Sequence, residues 1–377
     1  MKKVKKFILR VLVDNQIRNN KKKYEHKINE LNKRFSKPKK DQVCLDHLKK
    51  WKVFDKRISG EWLAAYSRVN GEYSSDYVPE SIYYSFLEPV LNNYEHCISY
   101  SDKNIYDLIY REGLFPNTLI RSIDSSIYDR FYNPIASFDD YLNDLKAVHK
   151  EIILKPSIDS GGGVNVMLFK LRGRDFVNTD NEMILNKDFL DARYKTNFVL
   201  QEKLKSHSDL SKFNPSSLNT IRILTYRSVA TNEVVVLNCV LRVGAEGAVV
   251  DNSRAGGVAV GVDSRGKLNN FATDKKGNIK MQLNGHNLSN SHTVPKFDEI
   301  LQVSKTIAQK NIHHRLLGLD MVVDEFGDVK CIEVNNKGNE INFFQFNNGP
   351  LFKEYTDEII GYCYKNMSKL YNRYEWK

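Results

Sequence analysis

Gly318-Leu-Asp-Met-Val-Val-Asp-Glu-Phe-Gly-Asp-Val-Lys-Cys-Ile-Glu-Val-Asn335 is the stretch on which the fold turns. Two runs with β patterning flank Glu325-Phe-Gly-Asp328, a loop of hairpin type. Pairing Asp324 with Val329 sets Asp320 opposite Glu333. Strand alternation then puts Glu333 and Asn335 on one face, the face Asp320 shares. Directly opposed residues have Cβ atoms about 5 Å apart, so three hard oxygen donors converge. Such donors suit one or two Mg²⁺ ions, which take carboxylates together with phosphate oxygens. The opposite face, with Leu319, Met321, Val323, Ile332 and Val334, is apolar and reads as core. The alternative is a solvated hairpin with chance acids, but acids on an otherwise apolar hairpin are costly to bury without compensation.

A second element lies upstream, at Ile152-Ile-Leu-Lys-Pro-Ser-Ile-Asp-Ser-Gly-Gly-Gly-Val-Asn-Val-Met-Leu-Phe169. A strand ends in Lys155, and the loop Ser160-Gly161-Gly162-Gly163 leads into another strand. Consecutive glycines let backbone N–H groups approach phosphate oxygens, and Lys155 adds a point charge. Read alone, the loop is more readily a flexible hairpin turn than a phosphate cradle. It is not a Walker A element, because no helix follows it. Gly261-Val-Asp-Ser-Arg-Gly-Lys-Leu268 nearly matches that pattern but lacks its Ser/Thr, so Asp263–Gly266 reads as a turn between strands. The strand Phe198–Leu204 ends in Gln201, Glu202, Lys203 and Leu204, a segment able to offer backbone groups to a base. Arg222, Arg242 and the stretch Asp251–Gly257, with Asn252, complete the set. Arginines at strand ends suit planar phosphate or carboxylate groups, with ordinary ion pairing as the alternative for each.

The chain has 377 residues, long enough for more than one lobe, with 41% apolar and 27% charged residues. No run approaches the roughly 20 apolar residues of a membrane span. Phe7–Val13, broken by Arg10, makes a poor signal peptide. Cysteines 44, 97, 239, 331 and 363 are widely spaced and odd in number, which argues against a disulfide framework or zinc site and for a reducing, cytoplasmic setting. The net charge of +11 is uneven. Residues 1–50 carry 17 basic and 5 acidic residues, leaving 40 and 41 for the remainder. A neutral body with one basic end does not fit a nucleic-acid enzyme. Val4, Phe7, Ile8, Val11 and Leu12 recur at helical spacing among lysines, a pattern for either an anionic membrane surface or a basic helix packed on its own protein.

The expected organisation is α+β. Residues 1–50 form a basic amphipathic helical segment and 51–104 a helical region. Residues 105–204 form a small lobe with the glycine loop, and 205–377 a larger lobe with the metal site. Helical patterns fall at Trp51–Tyr66, Ser81–Asn92, Asn104–Glu112, Asp139–His149, Phe297–Asn311 and Leu351–Tyr374. Strands are expected at Glu151–Lys155, Val164–Lys170, Phe198–Leu204, Thr220–Tyr226, Glu233–Val243, Gly257–Val262, Leu319–Asp324 and Val329–Asn335.

In this order the pieces resemble the ATP-grasp superfamily over about residues 60–360, closest to its sugar-transfer-associated members. The resemblance implies two α+β lobes clasping ATP. It makes Lys103, in Asp102-Lys103 before Leu108 and Gly113, a first nucleotide-contacting lysine and Lys155 the second. Ser160–Gly163 corresponds to the loop over the β- and γ-phosphates, and Gln201–Leu204 to the adenine hinge. Arg242, Asn252 and Gly256-Gly257 resemble the element binding the γ-phosphate and acyl-phosphate, with Arg222 beside them. Asp320, Glu333 and Asn335 match the metal set. Asp209 and His207 are candidates for the ribose. The usual βαβ pre-domain is replaced by the basic helical front half.

The implied activity is an ATP- and Mg²⁺-dependent carboxylate–amine (or thiol) ligase working through an acyl-phosphate. Its expected substrates are a small amine with a carboxylate or sugar of a bacterial surface polysaccharide, in the cytoplasm or at the inner membrane face, with no nucleic acid. The alternatives are phosphotransfer to a sugar hydroxyl and a nucleotide-binding regulator of a glycosyltransferase complex.

Overall fold

The computed structural model describes residues 2–33, 38–110, 113–158, 165–194, 197–245 and 256–371. Three helices open the chain: Lys2–Asn32 (α1), Gln42–Trp51 (α2) and Glu61–Asn70 (α3). The continuous helix expected over Trp51–Tyr66 is two helices instead. Turn residues separate α2 from α3, and a Cβ on the intervening Gly60 would stand 2.7 Å from Cys44 Sγ, so the chain passes too close there for a helical side chain. Asp41 starts α2 by accepting from the Cys44 amide at 3.0 Å, and Gly71 ends α3 at φ 82.

Six strands make the first sheet: Thr118–Ile123 (β1), Ser126–Asp129 (β2), Glu151–Pro156 (β3), Met167–Arg172 (β4), Asp175–Asn178 (β5) and Phe198–Glu202 (β6), in the order β2-β1-β6-β3-β4-β5. β1, β2 and β5 were not expected from the sequence. The alternation of β1 is broken by Arg121, a fully buried arginine that donates to the Asn104 carbonyl at 2.7 Å and pairs with Asp107. Helices Phe138–Val148 and Lys187–Arg193 cover this sheet through Phe138, Leu142, Phe189 and Leu190.

The second sheet holds Thr220–Arg227 (β7), Val234–Val243 (β8), Val258–Val262 (β9), Leu268–Thr273 (β10), Ile279–Lys280 (β11), Leu316–Val323 (β14) and Val329–Asn335 (β15), in the order β11-β10-β9-β8-β7-β14-β15. A small hairpin, Gln282–Leu283 (β12) with His286–Asn287 (β13), stands apart. All the pairings are antiparallel. Asp263–Gly266 is indeed the turn joining β9 to β10, closed by the Asp263 amide on the Lys267 carbonyl at 2.9 Å.

β7 and β14 are buried along nearly their whole length, because the sheet is covered on both faces. Helix Phe297–Lys310 packs on one face against Ile221, Ile223, Leu241 and Leu319. The other face packs under the helical run 80–91, Phe343 and Phe352, through Leu224, Tyr226 and Val240. The N-terminal helical region is therefore the second cover of the large sheet. Helix Ile341–Asn348 was not expected, and the long helix expected over 351–374 is shorter, Thr356–Lys365 with 3₁₀ turns at Lys353–Tyr355 and Met367–Tyr371. All five cysteines are buried and unbridged. No described helix is long and apolar enough to cross a membrane.

Candidate active site

The hairpin brings its acids together by a route the sequence pattern did not anticipate. Val323, not Asp324, pairs with Val329, one step off the expected register. A bulge between Asp320 and Met321 then restores it, so Asp320 does face Glu333 and Gly318 faces Asn335. The extra residue is Ile332. By simple alternation it would be core; in the bulge it lines the cleft beside Glu333, while Cys331 turns into the core. Burial, with Asp320 next, pushes the Cys331 thiol well up, so it offers no thiolate nucleophile.

Asp320 is buried and heavily coordinated. Arg222 on β7 lies opposite it and holds it with a fork, Nε to Oδ1 at 2.5 Å and Nη2 to Oδ2 at 2.9 Å. Arg242 on β8 reaches Oδ1 at 3.3 Å and Asn335 Nδ2 reaches Oδ2 at 3.3 Å. Glu333 pairs with Lys103 Nζ at 2.8 Å, and Lys103 also contacts the Ser157 carbonyl at 3.5 Å. The expected first lysine thus contacts a member of the expected metal set. Lys155, on β3, is buried, and among the described residues no ion pair holds it. Burial, then the neighbouring Lys103 charge, lower its pKa to about 7.

These residues line one cleft of about 1490 Å³ between the two sheets. One end is apolar, with Ile153, Val166, Leu204 and Ile332, and is edged by Gln201, Glu202 and Lys203. Gln201 is fixed by its amide on Thr118 Oγ1 at 3.0 Å, Glu202 by the Asn117 amide at 2.9 Å, and Lys203 pairs with Glu151 at 3.4 Å. The expected hinge residues therefore line the same cleft as these apolar side chains. Asp209 is not brought into this cleft. It is exposed beside His207, whose Nδ1 lies 3.6 Å away, while Ser208 and Ser211 of the same turn do line the cleft. Ser160, Gly161, Gly162, Gly163 and Asn252 lie outside the described residues.

The opposite end is the part that sequence reasoning missed. Lys23, Tyr24 and Lys27 of α1 line it together with Glu80, Tyr84, Lys275, Lys337 and Glu340. Tyr24 stacks on Tyr84, centroids 5.0 Å apart and 14° between planes. Buried Glu80 accepts from Lys27 at 2.7 Å and from Asn342 at 3.0 Å. The only sequence signal was the Tyr and Lys content of a segment that reads as a solvated helix.

The donor set fits Mg²⁺: two carboxylates and an amide oxygen, with Arg222, Arg242 and Lys103 offsetting the carboxylate charge. Among the described residues no group of three or more His, Cys, Asp or Glu is placed to hold a metal, so the asparagine is needed to complete the set.

A search of curated proteins finds no match. Solved structures similar in part include N5-carboxyaminoimidazole ribonucleotide synthetase from Thermotoga maritima, with 10% identity and TM-score 0.35, covering 67% of this chain and 47% of that one. The ATP-grasp ligase PsnB with precursor peptide and AMPPNP gives 14% and 0.38, covering 72% and 62%. D-alanyl-alanine synthetase A from Vibrio cholerae gives 10% and 0.38, covering 71% and 66%. The chain thus spans less than two thirds of the length of the first of these structures. A family model described as sugar-transfer associated ATP-grasp matches residues 84–359, from the helical run over the large sheet to the helix after Phe352. With its two sheets around a cleft holding both lysines and the Asp–Glu–Asn set, the chain belongs to the sugar-transfer associated ATP-grasp family.

Proposed function

We propose that this protein is an ATP-dependent ligase that joins an amine, or a thiol, to a carboxylate through an acyl-phosphate. One observation carries the reading: a single cleft unites a buried lysine that no ion pair among the described residues holds, a two-arginine clamp and an Asp–Glu–Asn oxygen set. The apolar slot between Ile153 and Ile332 takes the adenine, and the hinge Gln201–Leu204 presents its backbone to the base edge. Lys103 and Lys155 hold the phosphates. Asp320, Glu333 and Asn335 would hold Mg²⁺, which would supply Lewis-acid neutralisation of phosphate charge.

A substrate carboxylate oxygen attacks the γ-phosphorus as the bond to the ADP oxygen breaks. Arg222 and Arg242, held in place by Asp320, face the charge spread over the moving phosphoryl oxygens. The amine then attacks the acyl carbon, phosphate leaves, and the amine proton passes to solvent. No protein nucleophile is needed.

The acceptor occupies the α1 end of the cleft. Lys23, Lys27, Lys275 and Lys337 outnumber Glu80 and Glu340 there, and the stacked Tyr24 and Tyr84 offer an aromatic wall. That lining suits an anionic sugar such as a uronic acid, in keeping with the family's sugar-transfer association and with a role in surface polysaccharide synthesis. The test is product analysis after incubation with Mg·ATP, amino acids and uronic acids. ADP, free phosphate and a product of summed mass minus water establish the ligase. ADP with a phosphorylated sugar assigns the site to sugar phosphotransfer instead. Saturable ATP binding with no turnover across a broad acceptor set favours the regulatory alternative.

A further inference from the structure

Helix α1 has two different halves. From Val13 onward it is built into the protein: Val13, Tyr24, Ile28 and Leu31 are buried, and Lys21 pairs with Asp55 at 3.0 Å. At the junction, Arg10 lies over the Tyr371 ring at 5.6 Å and Asp14 accepts from the Tyr371 hydroxyl at 3.0 Å. The preceding turns carry a different surface. Val4 is 61% exposed, Phe7 68%, Ile8 50%, Val11 41% and Leu12 54%. Their spacing gathers all five within an arc of about 140° at 100° per residue. Between and around them the sequence of residues 2–13 carries Lys2, Lys3, Lys5, Lys6 and Arg10, with half-buried Leu9, and holds no acid.

An apolar stripe of this kind is costly to leave in water, and flanking charge that is basic and free of acids selects an anionic cover. A second protein chain fits poorly, because a stable interface needs roughly 20–30 residues a side. We infer that the first three turns of α1 seat on an anionic lipid surface, apolar arc inward and lysines at the headgroups. This goes beyond the ligase reading and does not depend on it. The same helix lines the cleft at Lys23, about 17 Å along its axis from Leu12, so seating holds that end of the cleft close to the bilayer.

The test is flotation of the full chain at low salt with vesicles of equimolar phosphatidylglycerol and phosphatidylcholine, against phosphatidylcholine alone. The expected result is binding to the anionic vesicles only, weakened by added salt. Phe7→Glu with Leu12→Glu should lower the partition about tenfold or more, with helicity and Tm unchanged because both side chains face solvent. The emission of a Phe7→Trp variant should shift to the blue on the anionic vesicles. Failure of the full chain to float, equal flotation of the double variant, or an unshifted Phe7→Trp emission overturns the inference. So does a dimer that the double variant converts to monomer, which would make a second copy the cover.

Discussion

Lys155 shows how far one side chain's setting governs the chemistry. Burial lowers its folded pKa from the ordinary 10.5 to about 7, so the free protein loses this proton near neutrality. The unfolded chain keeps it until about 10.5, so the penalty for burying the ammonium is present in full below pH 7 and is relieved as pH rises toward 10.5. Phosphate oxygens favour the charged form. The Kd for ATP should therefore rise by about tenfold per pH unit above 7, and Lys155→Met should flatten that dependence while stabilising the protein at pH 7. Titration calorimetry from pH 6 to 9 decides it; a flat wild-type profile removes Lys155 from the phosphate site. Glu333→Ala tests the metal set, with turnover expected to fall about 100-fold and its Mg²⁺ requirement to rise. Unaltered Mg·ATP turnover would sink the assignment. Both residues were visible in the sequence as a lysine ending a strand and an acid in an apolar hairpin. The Lys103–Glu333 pair was not, because its partners are 230 positions apart.

At the scale of elements, the β14–β15 hairpin was legible in its existence, its loop and the facing of Asp320 and Glu333. Its bulge was not, since a period-two pattern carries no mark for an inserted residue, and Ile332 consequently changed sides. Close packing at the hairpin gives a sharper test. A Cβ on Gly318 would lie 2.2 Å from Asn339 Oδ1 and 3.4 Å from Arg222 Nη1. Gly318→Ala should thus cost about 1–3 kcal/mol, seen as a lower urea midpoint at unchanged m, and should impair turnover by displacing Arg222. Two buried histidines, His47 within α2 and His314 just before β14, set the acid limit. Burial lowers His47 and His314 to about 4 from 6.5. The unfolded chain therefore takes up their protons first, and stability should fall as pH drops from 6.5 toward 4. Urea midpoints across that range check it; a flat profile would mean these rings are charged in the fold.

Across the whole molecule, the decisive placement is α1 against the cleft, outside the span matched by the family model. If the acceptor binds there, Lys27→Ala should raise the acceptor KM about tenfold, because Glu80 loses its cation, while the KM for ATP stays level. A parallel rise in both would place α1 in general structure only. By itself the sequence determined the α+β class, the order of the strands that carry Lys155, Arg222, Arg242, Asp320 and Glu333, the split between a basic end and a neutral body, and the amphipathic start of α1. These are written in local periodicity and in spacings of a few residues, where backbone geometry dictates which side chains share a face. Only the tertiary structure decided that Arg222 and Arg242 clamp Asp320, that Lys103 meets Glu333, and that Lys23, Tyr24 and Lys27 close the far end of the cleft. Those contacts join residues tens to hundreds of positions apart. They arise from the packing of helices and sheets around shared cores, which no local pattern encodes.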